Sequence, residues 1–235
     1  MNETEPESII KFWNGFETPS PPFIHPQDMQ VSPKLSAPVY DGFSDYRNKN
    51  PFPEQTNTII QPSLLPVPYI GNLANAKIFI LMGNPGFSAH DMLEREPAPL
   101  FEAFRQDVIK NLHQEFTPKD DFPFFYLNPT HSWHNGFIYW ESRFREIAKQ
   151  LQKDGGLTSC RDALSFMAKH IAVLQLVPYH SAKFPNRAAK LPSAQAMQKW
   201  ADMRLSEDTT PAIIVRHESK WAISRQKKRY HIQKS

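Results

Sequence analysis

The sequence predicts an α/β fold: a three-layer α/β/α sandwich around a mainly parallel four-stranded sheet. Two observations carry this. Four short apolar runs are bounded by Gly, Pro or Asn, as buried strands are, and stretches of helical period separate them. Alternating strands and helices build a layered sheet, and 235 residues with 40% hydrophobic content suffice for one domain with a substantial core.

The elements follow in order. Residues 7–16, ESIIKFWNGF, form a short amphipathic helix. The run KIFILM at 77–82 is a continuous apolar strand that ends in Gly-Asn-Pro-Gly, as expected of a strand central in a parallel sheet. Residues 99–115 place Leu100, Phe101, Phe104, Val108, Ile109 and Leu112 at helical spacing. PFFYLN at 123–128 reads as a second strand. A helix over 137–152 carries Phe137, Trp140, Phe144, Ile147, Ala148 and Leu151 on one face. Another spans 158–169, capped by Thr158 or Ser159. HIAVLQLV at 170–177 is the third strand, stopped by Pro178. A helix over 193–206 starts at a Ser193 cap, and PAIIVR at 211–216 is the fourth strand.

Twelve of the 22 prolines lie in residues 1–70. Proline fixes φ, removes a donor and restricts its predecessor, so residues 1–68 read as an arm rather than as part of the layered domain at 69–235. The arm carries Phe23, Ile24, Val39, Tyr40, Phe43, Tyr46 and Phe52. Disordered segments are poor in such residues, so the arm is expected to pack on the domain. One cysteine, Cys160, excludes an internal disulfide framework and a multi-cysteine metal site. No apolar run reaches the ~20 residues of a membrane helix. The acidic opening MNETEPES is unlike a secretory or mitochondrial leader. A cytoplasmic monomer without metal or cofactor is the expectation.

In open parallel sheets, ligands bind beyond the carboxyl ends of the strands. Three of the four strands end in polar residues: Gly83-Asn84-Pro85-Gly86-Phe87, Pro178-Tyr179-His180-Ser181 and Arg216-His217-Glu218-Ser219. Glycine is scarce, so two of the eight around Asn84-Pro85 are informative. An Asn amide there both donates and accepts. The same four residues also read as ordinary turn chemistry. They match neither the phosphate-binding G-x-x-x-x-G-K-[ST] loop nor the dinucleotide G-x-G-x-x-G fingerprint.

Residues 69–87 resemble the first motif region of the uracil-DNA glycosylase superfamily, closest to its mismatch-specific and thymine-DNA glycosylases. Their loop reads G-I-N-P-G after a buried strand. Asn84-Pro85-Gly86 match its last three positions, and Gly83 falls one place later than the first glycine. The resemblance implies hydrolysis of the N-glycosidic bond of uracil or another modified or mismatched base in DNA, duplex or single-stranded. It implies that Asn84 positions the attacking water and that Gly83, Pro85, Gly86 and Phe87 border the flipped base. HIAVLQLVPYHSAKF resembles a strand-end motif of divergent members. There His180 would donate to the base anion or meet a phosphate, Tyr179 would stack on the base, and Ser181 and Lys183 would hold phosphates. The family's second motif, H-P-S after the last strand, has one candidate here, His217-Glu218-Ser219, with Glu in place of Pro. Trp221 or Ile223 would be its wedge.

Outside the resemblance, residues 216–235 hold seven Lys or Arg against one acid, Glu218. Arg216, Lys220, Lys227, Lys228 and Arg229 suit a phosphate backbone, or a merely solvated end. The stretch YLNPTHSWHNGFIYW at 126–140 reads as a loop along the base cleft, with Asn128, Trp133, Tyr139 and Trp140 as contacts. His131 and His134 lack the further ligands that zinc requires. The alternatives are a nucleic-acid-binding module that kept the fold without catalysis, and a small-molecule hydrolase on a similar sheet.

Overall fold

The structure, a computed structural model, describes residues 6–17, 20–31, 35–51, 57–206, 212–216, 219–221 and 230–232. The architecture is mixed α/β. Helices are α1 (Pro6–Asn14), α2 (Pro26–Val31), α3 (Phe43–Lys49), α4 (Pro99–His113), α5 (Asn135–Asp154), α6 (Cys160–His170) and α7 (Pro192–Ser206). Strands are β1 (Tyr69–Ile70), β2 (Ile78–Met82), β3 (Ile171–Gln175), β4 (Ala212–Val215) and β5 (Tyr230–Ile232). The sheet order is β1-β3-β2-β4-β5. β1 runs antiparallel to β3, and the other pairs are parallel.

The sheet differs from the expected four strands. Residues 123–128 contribute none. Phe125–Leu127 is a 3-10 turn bracketed by Pro123 and Pro129, which lack the donors a ladder needs. Phe124 to Leu127 are all buried, and the turn packs against α4, α5 and α6, so its apolar run is satisfied by helices rather than by a sheet. The two-residue β1 is held by α4 instead of by its own length. Asn111 Nδ2 donates to Tyr69 O at 2.7 Å and Asn111 Oδ1 accepts from Gly71 N at 2.9 Å. Gly71 has φ +96°, and a Cβ there would lie 2.6 Å from Ile171 O, so only glycine fits between β1 and β3.

Helix starts follow local chemistry. Ser159, not Thr158, caps α6, accepting from Asp162 N at 3.1 Å. α7 opens on Pro192, whose missing N–H is no loss at a first position. Ser193 therefore lies inside the helix, and its N–H points at Asp28.

The proline-rich segment shares the main core. Ile9, Trp13, Phe16, Phe23, Ile24 and Ile60 are buried in one cluster with Phe79, Val173 and Trp200. α1 packs on α7 and α4, and α2 packs on α7. Tyr40, Tyr46, Leu64 and Met92 form a second, smaller cluster. Asp28 is the polar pin. Its Oδ1 accepts from Ser193 N at 3.0 Å and its Oδ2 from the Tyr179 hydroxyl, which in turn accepts from His25 N at 3.1 Å. Replacing Asp28 with Ala leaves two donors unpaired in a dry site. The expected loss is about 3 kcal/mol, or a Tm lower by about 9 °C, read by circular dichroism on heating. A shift under about 2 °C would show that the pin carries little.

Candidate active site

Parallel register brings three strand ends together. Met82 lies opposite Gln175, and Leu81 opposite Val215. The segments 83–87, 176–183 and Arg216 therefore leave the sheet along one edge. Between this edge and the start of α5 lies a cleft of about 650 Å³. Asn84, Pro85, Gly86, Phe87, Gln175 and His180 line one side. Asp91, Tyr126, His134, Asn135, Gly136, Tyr139 and Trp140 line the other.

Asn84 is held in one orientation. Its Nδ2 donates to Ser181 O at 2.9 Å and to Ser181 Oγ at 3.1 Å. A carbonyl only accepts, so the amide nitrogen must face Ser181. Ser181 Oγ gives its own proton to Lys183 O at 2.9 Å, which leaves it an acceptor for Asn84. Asn84 Oδ1 remains as an oriented acceptor at the cleft wall. Gly86 has φ +79°, a conformation L side chains rarely adopt, and its carbonyl turns toward His180 Nδ1 at 3.1 Å. That contact places the His180 proton on Nδ1. Burial holds the ring below its ordinary pKa, against Asp91 and the carbonyls of Gly86 and Leu65.

Across the cleft, the loop after β2 is clipped to α5. Asp91 Oδ2 accepts from Ser88 N at 2.6 Å, and Asn135 Nδ2 donates to Ser88 Oγ at 2.7 Å and to Asp91 Oδ1 at 3.2 Å. Burial raises the Asp91 pKa, opposed by His180, the Ser88 N–H, Asn135 and His90. His134 caps α5: its Nδ1 accepts from Gly136 N at 2.9 Å. The proton of the neutral ring is therefore on Nε2, which is buried without a hydrogen-bond partner. Asp91 Oδ1 is 3.9 Å from it, too far for a hydrogen bond. The ring lies between Phe104, stacked at 4.4 Å, and Tyr126 at 5.2 Å. Tyr126 in turn fills the space above Gly136, where a Cβ would sit 2.3 Å from its ring. At the rim, Arg216 donates to Tyr139 Oη at 3.1 Å, and the Arg143 guanidinium lies 3.4 Å from the Tyr139 ring centre.

Burial sets the His134 pKa to about 3, against 6.5 for a free ring. The unfolded chain takes a proton there below pH 6.5, and the folded chain does not. This part of the stability is complete above pH ~6.5 and is lost as pH falls toward 3, by about 2 kcal/mol at pH 5. His180, also lowered, acts in the same sense. Asp91 and Glu94, both raised by burial, act oppositely, because the native carboxyl takes its proton first as pH falls. Urea unfolding of the protein and of His134→Asn at pH 7 and 5 isolates the His134 part. The stability gap between them should close by about 2 kcal/mol at pH 5; an unchanged gap refutes the assignment.

The structure brings Gly83's neighbours Asn84, Pro85, Gly86 and Phe87 together with His180. Gly83 itself extends the ladder, its O accepting from Val177 N at 2.9 Å. Other expected site residues lie elsewhere. Tyr179 is buried away from the cleft on Asp28, so it ties the arm down instead of stacking on a base. Ser181 is fully buried and orients Asn84 instead of meeting a phosphate. Asn128 caps the 3-10 turn at Pro129–His131, its Oδ1 accepting from Thr130 N, and does not line the cleft. Trp133 is likewise outside it, against Phe101 and Phe104. Trp221 is buried and donates to Met82 O at 3.0 Å, so it is no exposed wedge. Lys183 and Ser219 are exposed. Lys220 donates to Asn186 Oδ1 at 2.8 Å and lies over the Phe184 ring. His217, Ile223, Lys227, Lys228 and Arg229 lie outside the described residues.

Sequence reasoning passed over Gln175 and Asp91; it set 126–140 along the cleft, which Tyr126, His134, Asn135, Gly136, Tyr139 and Trp140 line, but weighed His134 only as a metal ligand. Gln175 had a signal: after the leading His170 it is the one polar residue of HIAVLQLV. It is buried at the end of β3 with its Oε1 unpartnered. Among the described residues, no group of three or more His, Cys, Asp or Glu could hold a metal ion, and no helix is long and apolar enough to cross a membrane. Comparison with family models, with curated proteins and with solved structures finds no match for this chain.

Proposed function

We propose that the protein is a DNA glycosylase-like hydrolase of the N-glycosidic bond of uracil or another modified or mismatched base, built as a three-layer α/β/α domain with the N-terminal arm against it. The observation that carries this reading is Asn84: a carboxamide at the end of β2, locked by Ser181 so that only its oxygen is left to orient a water. The cleft volume of about 650 Å³ falls in the range of small-ligand sites. Aromatic rings and carboxamides line it, which suits a flat base with polar edges.

An Asn is a poor base, so the chemistry that fits begins with departure of the leaving group. The glycosidic C–N bond breaks and its electron pair leaves with the base. The water held by Asn84 Oδ1 then bonds to C1′ and gives up a proton to solvent. The departing base anion needs a donor. His180 is badly suited, since its Nδ1 proton is committed to Gly86 and burial keeps the ring neutral. His134 fits better: its Nε2–H has no partner, and an acceptor that forms in the transition state would satisfy it. Arg143 over the Tyr139 ring and Arg216 on its hydroxyl supply positive charge for the flanking phosphates.

The test is an excision panel. Duplex and single-stranded DNA carrying uracil, mismatches or modified bases is incubated with the protein, and abasic sites are cut with alkali. Strand breaks on at least one substrate support the reading. Tight, salt-sensitive binding with no abasic site across the panel replaces it with a binding module.

A further inference from the structure

A second cavity of about 390 Å³ adjoins the first at Phe87, which lines both. Most of its wall comes from the N-terminal arm, through Tyr40, Tyr46, Asn50 and Gln61. The Tyr40 and Tyr46 rings meet edge-on at 5.0 Å, and Tyr46 meets Phe87 edge-on at 5.5 Å. Asn50 gives one of its two amide N–H groups to Tyr46 O at 3.0 Å, which fixes its Oδ1 as an acceptor. Gln61 is only 5% exposed, and its Oε1 is buried without a partner.

These features ask for one kind of group. Aromatic walls favour a flat face. A buried, unpartnered carboxamide oxygen favours an N–H donor. A nucleobase supplies both. The cavity is also tied to the cleft by backbone hydrogen bonds. Gln61 N donates to His180 O at 2.9 Å, and Lys183 N donates to Asn57 O at 3.0 Å. Lys183 is exposed next to Ala182 in the cavity wall, where a phosphate between the two cavities would find it.

We propose that the arm forms a second subsite that receives the base next to the target in the same DNA strand; this rests on the DNA reading above. Successive bases in a duplex advance 3.4 Å. Bases seated in two separate cavities that share Phe87 as a wall cannot keep that spacing. A strand that places one base in each cavity is therefore unstacked at that step, and single-stranded DNA is the better substrate.

The experiment uses the full chain and a short fluorescein-labelled single strand with one uracil. In parallel strands, the base 5′ or 3′ to the uracil is replaced by an abasic tetrahydrofuran. Fluorescence anisotropy reads affinity, and alkali cleavage of the same samples reads excision. Loss of one neighbouring base should weaken binding about 10-fold, a size expected of one stacked base. Gln61→Leu, which removes the acceptor and keeps the rings, should lower that ratio, and duplex DNA should bind more weakly than the single strand. Equal affinity for intact and abasic-neighbour strands on both sides overturns the subsite, even if excision occurs. Neighbour-dependent binding without excision keeps the subsite and overturns the reaction.

Discussion

If the proposed glycosylase reading holds, Asn84→Ala is expected to lower the single-turnover rate of abasic-site formation by about 100-fold or more, with far-ultraviolet dichroism and Tm near those of the parent. The size follows from what is lost. Misplacing a reactant by about 1 Å costs ~10²-fold, and the Ala variant has no atom to place the water. The fold is expected to survive because Asn84 is only half-buried and spends its hydrogen bonds on one neighbour, Ser181. A graded series sharpens the result. Ser181→Ala removes the 3.1 Å bond and keeps the 2.9 Å bond to the carbonyl, so it costs less, about 10-fold. Asn84→Asp keeps an acceptor but sets a carboxylate oxygen against the Ser181 carbonyl, so it also loses the orientation. Wild-type rates in Asn84→Ala would end its role in the chemistry.

On the same proposal, His134→Asn is expected to lower that rate by about 100-fold, a typical loss for one donor to a developing anion. Asn is chosen because it is itself a good helix cap. It replaces the Nδ1 acceptor for Gly136 N but cannot carry a donor as far as Nε2. The loss should appear in kcat with little change in affinity for the strand, since the charge it meets exists only as the bond breaks. The variant also loses the ring stack on Phe104 at 4.4 Å, so assays run well below its Tm. An unchanged kcat would return the donor role to another group in the cleft.

Much of the scaffold was legible residue by residue. KIFILM became β2 because a five-residue apolar run between breakers has few other ways to bury both faces. α4 and α5 followed their 3.6-residue period, although Leu100 and Ile147 of the expected apolar faces are exposed, and α6 starts at its serine cap. PFFYLN misled because a short apolar run reports burial and not conformation. Two flanking prolines and the neighbouring helices turned it into a 3-10 turn. The two-residue β1 has no periodic signal at all, and Asn111 and Gln114 on α4 hold it in place.

The site divides in the same way. Asn84, Gly86 and Phe87 were visible because a rare glycine pair followed the best strand. Tyr179 and Ser181 looked equally exposed to function, yet successive residues on this loop turn opposite ways. Tyr179 faces Asp28 in the arm, His180 the cleft, and Ser181 the Asn84 amide. Chain order alone carries no such directions.

What the amino-acid sequence determined by itself is local: the buried runs that became β2, β3 and β4, the helical stretches of α1 and α4 to α7, the bend at Asn84-Pro85 in a glycine-poor chain, and an aromatic-rich arm that must find cover. Tertiary structure decided which of these features meet. Parallel register aligned the ends of β2, β3 and β4, and α5 brought His134 and Asn135 to face them across the cleft. The arm, more than 20 residues from Phe87 in the chain, closed a second cavity against it. The reason is physical. Backbone propensity and hydrophobic period act over a few residues, whereas a site depends on directions set by packing between segments far apart in the chain.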